Sequence, residues 1–135
     1  MIIVAWIGVL LGAVIYFLAF VWETIMFRRP GVHQGIFAVP SRDIEPVRLW
    51  SFCVGFYNLF LSLGAVAGVI LWATGSVAEG RALVIFTGLF MFGCGVVLFV
   101  ADRLALSRPK GPGVAPAIAC SVPTAIATLA ALVAV

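Results

Sequence analysis

Charge is what this sequence has least of. Only 10% of its 135 residues are Asp, Glu, Lys or Arg, whereas a water-soluble domain carries about a quarter. One histidine and three cysteines leave no CxxC or HxxxH spacing, so no standard zinc site is written into the chain. There is no Gly-x-Ser-x-Gly elbow, no Walker loop and no second carboxylate beside Glu23. His33 as a general base would need a nucleophile that the chain does not offer. These gaps point away from an enzyme and from a bound cofactor. Basic residues interleaved with stacking aromatics are also missing, which argues against nucleic acid as a partner. The opening Met-Ile-Ile-Val-Ala-Trp has no cationic segment of the kind that starts a secretory leader.

What is abundant is apolar surface. The chain is 64% hydrophobic, with a mean hydropathy of +1.26. Uncharged runs longer than about 18 residues read as transmembrane helices. Four such runs predict an all-α polytopic membrane protein, a single domain folded as a four-helix transmembrane bundle. The expected helices cover about residues 2–27, 48–74, 81–101 and 114–135, with a long loop over residues 28–47. Gly8 with Gly12, and Gly64 with Gly68, form small-xxx-small pairs that let another helix approach closely. Pro123 is expected to loosen the last helix, with Thr124 available to the carbonyl it frees. In the long loop, Ser41 is a candidate cap for the second helix, and His33 reads as exposed.

The lipid bilayer is therefore the first partner, and the loops set the expected orientation. Arg28, Arg29, Arg42, Arg48, Arg103, Arg108 and Lys110 all fall on one side, and Arg81 alone falls on the other. The positive-inside rule places both long loops in the cytoplasm of a bacterial inner membrane and both termini outside.

Glu23 is the one acidic residue inside an apolar run, and a carboxylate there needs a partner or a task. Glu23, Cys53, Tyr57, Asn58, Cys94 and Cys120 all fall within one to two turns of the same membrane face, and Tyr16 lies seven residues before Glu23. Several readings stand side by side. Glu23 serves as a proton or cation site supported by Tyr57, Asn58 and Tyr16, or it simply pairs with Arg28 or snorkels to the interface. Cys53, Cys94 and Cys120 gather with Glu23 or His33 around a soft metal, or they are small buried hydrophobes. The whole layer lines a pocket for a small ligand, or Asn58 is an interhelical hydrogen bond.

Certain motifs carry a resemblance. Trp22-Glu23-x-x-Met26-Phe27, Pro30 and Gly55-Phe56-Tyr57-Asn58-x-Phe60-x-x-x-Gly64, followed by Phe92-Gly93-Cys94 and Pro123, resemble the bacterial integral-membrane family catalogued as domain of unknown function 1304. The resemblance implies a small four-helix membrane protein. It also implies a glutamate closing helix one, a proline seven residues later and an Asn-Gln-Gly-x-Tyr-Asn signature opening helix two. Glu23, Pro30, Gly55, Tyr57 and Asn58 match. Cys53-Val54 stands in place of Asn-Gln, and Tyr16 stands where a histidine is usual.

The leading functional expectation is a non-enzymatic protein that packs through its glycine faces against itself or against other subunits of a larger membrane complex. The alternatives are a small proton- or cation-coupled transporter using Glu23, and a metal- or ligand-binding membrane protein using the Cys/Glu/Tyr/Asn layer.

Overall fold

The computed structural model describes residues 1–106 and 109–134. Arg108, counted above in the basic loop, and Val135, at the end of the expected fourth helix, lie outside the described residues, as does Ser107. The helices are α1 (Ile2–Phe20), which continues into a π-helical turn (Val21–Ile25), a one-turn α2 (Pro30–His33), α3 (Ile44–Ala73) after a 3-10 turn (Ser41–Asp43), α4 (Val77–Arg103) and α5 (Val114–Val133). Four of these segments are long and apolar enough to cross a membrane, at 24, 33, 27 and 20 residues. The protein is an all-helical, multi-pass bundle.

Two helix starts fall earlier than the sequence signals suggest. α3 begins at Ile44 rather than near Arg48, because Pro46 sits in the first turn, where an amide would have no intrahelical partner in any case. α4 begins at Val77 rather than Arg81. Gly80, read as a turn residue, is instead a close-packing point: a Cβ there would lie 2.7 Å from the Gly68 carbonyl oxygen and would overlap the Trp72 backbone. The α3–α4 hairpin closes tightly for that reason. Ser41 makes no cap to α3; its hydroxyl accepts from Gln34 Nε2 at 2.7 Å.

The four long helices pack in a ring, α1 to α3 to α4 to α5 and back to α1, with α1 also touching α4 across the middle. Side chains at the centre are small. Ala5, Val9, Ala13, Ala65, Val84, Ala127, Ala130 and Ala131 are buried, with Met91, Tyr16 and Trp72 filling the remaining space. Lipid tails are as apolar as any core, so close backbone contact between small residues drives such packing. Trp6 meets Trp72 edge-on at 6.3 Å.

The glycine pairs serve this internal packing. A Cβ at Gly8 would lie 2.6 Å from the Pro123 carbonyl oxygen, and one at Gly12 would lie 2.6 Å from Thr124 Cγ2 and 2.8 Å from Met91 Sδ. A Cβ at Gly68 would lie 3.1 Å from Val84, and one at Gly64 would lie 3.4 Å from Thr87 Cγ2. These four glycines are thus in use between the chain's own helices.

Side chains hold the ends. Arg81, the lone basic residue at its end of the bundle among the described residues, donates from Nε to the Ala131 carbonyl and from Nη2 to the Leu132 carbonyl, both at 2.7 Å. These are last-turn carbonyls of α5, which lack intrahelical partners. At the other end, Asp102 has no exposed surface. It accepts from the Gly111 amide at 2.9 Å and the Gly113 amide at 2.8 Å, and from Arg103. This clips the α4–α5 loop onto the start of α5. Pro123 is absorbed within an unbroken α5. Thr124 Oγ1 donates to the Cys120 carbonyl at 2.6 Å, not to the Ala119 carbonyl that the proline leaves free.

A candidate carboxylate site between α1 and α3

The last turn of α1 widens. The Met26 amide donates to the Val21 carbonyl at 2.9 Å, a five-residue step in place of the usual four. Such single π turns occur disproportionately at functional sites. The wider turn brings Glu23 and Thr24 against α3. A Cβ at Gly55 would overlap Thr24 Oγ1 and lie 3.2 Å from Glu23 Cβ, so only glycine allows this approach.

Two polar contacts then fix Glu23, and a third fixes its neighbour Thr24. Asn58 Nδ2 donates to Glu23 Oε2 at 2.7 Å. Ser51 Oγ donates to the Glu23 carbonyl at 2.7 Å, taking an oxygen that the end of the helix leaves without a partner. Thr24 Oγ1 donates to the Phe52 carbonyl at 3.3 Å. Ser51, Gly55, Asn58 and Ser62 are spaced by four, three and four residues, which places them on one face of α3. Ser62 completes the stripe by donating to the Ala13 carbonyl at 2.9 Å.

The partner of Glu23 is a neutral amide, not a cation. Arg28, the partner suggested by sequence proximity, instead bridges the loop to Glu45 at 3.1 Å. Among the described residues, the ion pairs are Arg28–Glu45, Arg42–Asp43 and Arg103–Asp102, and none includes Glu23.

The other members of the expected layer divide. Tyr57 is 65% exposed and faces away from Glu23, since adjacent residues on a helix point about 100° apart. Tyr16 is buried two turns deeper and donates to the Met91 carbonyl at 3.1 Å, in the core against which Cys94 and Cys120 pack. It ties α1 to α4 and does not touch the Glu23 carboxylate. Cys53 is half-buried and stands five residues before Asn58, about 140° around the helix from it. Among the described residues, no three His, Cys, Asp or Glu side chains gather as a metal site would require. The grouping of Cys53, Cys94 and Cys120 with Glu23 or His33 is therefore corrected.

His33 also differs from expectation. It is 1% exposed, in the single helical turn that Pro30 opens. Its Nδ1 donates to the Val39 carbonyl at 2.9 Å, and its ring packs near Phe27.

Asn58 has a second exposure. It lines a membrane-facing groove between α3 and α4, about 330 Å³ in volume, together with Tyr57, Phe60, Phe86, Thr87 and Phe90. Asn58 therefore both contacts the Glu23 carboxylate and lines this groove.

No curated protein and no solved structure matches this chain. One family model does, over residues 10–134, which include the π turn, the α3 stripe and the groove. The chain belongs to the family described as protein of unknown function, DUF1304.

Proposed function

We propose that this chain is a non-enzymatic inner-membrane protein whose working group is Glu23, a carboxylate that exchanges a proton for a small lipophilic cation arriving through the α3–α4 groove. One observation carries the reading. Glu23 lies in an apolar span, in a π turn, with Asn58 rather than a cation as its partner. An intramembrane carboxylate held in this way marks a proton or ion path by default. The aromatic walls of the groove suit a cation, whose charge is attracted to ring faces.

The loop charges support an orientation with both long loops in the cytoplasm and both termini outside. Arg28, Arg29, Arg42, Arg48, Arg103 and Lys110 stand at one end, and Arg81 at the other is engaged with α5 carbonyls. The glycines that motivate an accessory or self-associating role pack between the chain's own helices, which favours the exchange reading over it.

Proteoliposomes test the proposal with ethidium as the lipophilic cation. An imposed pH gradient should drive ethidium uptake by the wild type and not by Glu23→Gln. Equal uptake by the two proteins, or none by either above empty vesicles, would reject it.

A further inference from the structure

A second cavity, of about 600 Å³, lies at the arginine-rich end, between the first loop and the end of α4. Phe37, Val39, Val47, Ala101 and Leu106 supply its apolar wall, and Arg42 and Asp43 stand side by side in its lining. Their ion pair is loose, with Nε to Oδ1 at 3.8 Å, and the side chains are 85% and 48% exposed. A positive and a negative group are thus displayed together beside an apolar wall.

Its level in the membrane is marked by exposed amphipathic and apolar side chains. Trp50 is 71% exposed one turn beyond Pro46 and Val47, and Leu104 is 64% exposed just past the end of α4. Tryptophan in such a position sits among lipid headgroups. The cavity is also built rather than incidental. Its Val39 edge is pinned by the His33 Nδ1 bond and by the Val39 amide donating to the His33 carbonyl at 2.6 Å. Among the described residues, two non-glycine residues have left-handed backbone, Ala38 at φ 55° and Ala105 at φ 54°. Ala38 lines the cavity, and Ala105 adjoins Leu106. Such conformations persist where the surroundings enforce them, often at binding sites.

We infer that this cavity binds the headgroup of a phosphatidylethanolamine molecule, its phosphate on Arg42, its ammonium on Asp43 and the start of its acyl chains along Val39, Val47 and Leu106. The charge order of the headgroup complements the adjacent pair. An anionic headgroup such as phosphatidylglycerol would leave Asp43 facing negative charge. The site is separate from Glu23 and does not depend on the exchange reading.

The test is native mass spectrometry of protein released from bilayers containing equal phosphatidylethanolamine and phosphatidylglycerol. Wild type and Glu23→Gln should retain one phosphatidylethanolamine. Arg42→Ala should reduce that adduct about tenfold, the loss of one charge-assisted contact, with helicity by circular dichroism unchanged. Ala101→Trp, which fills the cavity, should remove it. Retention of both lipids in bilayer proportion, preference for phosphatidylglycerol, or an adduct that survives Arg42→Ala would overturn the assignment.

Discussion

Alanine substitutions along the glycines should separate internal packing from external association, because the structure gives each glycine a different clearance. At Gly8 the new methyl group would lie 2.6 Å from the Pro123 carbonyl oxygen and 2.9 Å from Ala127 Cβ. Neither neighbour is a flexible side-chain end, so α1 and α5 must move apart. Overpacking of this kind costs about 1–3 kcal/mol. At Gly64 the nearest atom is Thr87 Cγ2 at 3.4 Å, close to ordinary contact, and Gly64→Ala should change stability little. At Gly93 nothing lies within 4 Å, so alanine gains helix propensity without a clash, worth up to about 1 kcal/mol. Unfolding by denaturing detergent, followed by circular dichroism, gives all three on one scale. The predicted order of stability is Gly93→Ala, then Gly64→Ala, then Gly8→Ala, with no change in oligomeric state. If Gly8→Ala were neutral in stability but changed the self-association of the protein, the internal packing described here would be refuted.

Other substitutions probe the ends of the bundle. Arg81→Ala leaves two last-turn carbonyls of α5 without donors; the cost should be about 1 kcal/mol for a partly exposed group, with faster amide exchange confined to the end of α5. Asp102→Asn replaces an acceptor of the Gly111 and Gly113 amides with a side chain that has only one acceptor oxygen. The α4–α5 loop should loosen, and trypsin should cut after Lys110 faster than in the wild type. His33→Ala removes the Nδ1 donor to Val39 and the packing beside Phe27, and should lower the thermal midpoint while leaving Glu23→Gln phenotypes unchanged.

The hydropathy of the chain made the four spans legible, since twenty-odd uncharged residues have few other uses. Helix ends were less legible. Pro46 and Gly80 look like breakers in a linear reading but are compatible with a first turn and with a close helix crossing. Within the site, Glu23 and Asn58 stood out because polar groups are costly in lipid. Tyr57 and Cys53 share the depth of Glu23 and Asn58 from one membrane face, whereas the helical period assigns them to other faces of α3. Applying that period to Ser51, Gly55, Asn58 and Ser62 would have found the whole stripe facing α1. The π turn, the burial of His33 and the role of Asp102 depend on contacts between segments far apart in sequence, which no local pattern records.

The central proposal is that Glu23, which has no ion-pair partner among the described residues, is reached from the bilayer by way of Asn58 and the α3–α4 groove. The most direct test is labelling with a lipid-soluble carbodiimide, which reacts with protonated carboxyl groups, followed by mass-spectrometric mapping. The account predicts modification at Glu23, sparing of Glu45 and Glu79 in their exposed positions, and slowing of the Glu23 reaction by excess ethidium. Labelling of Glu45 and Glu79 with Glu23 untouched, or labelling of Glu23 indifferent to ethidium, would contradict it.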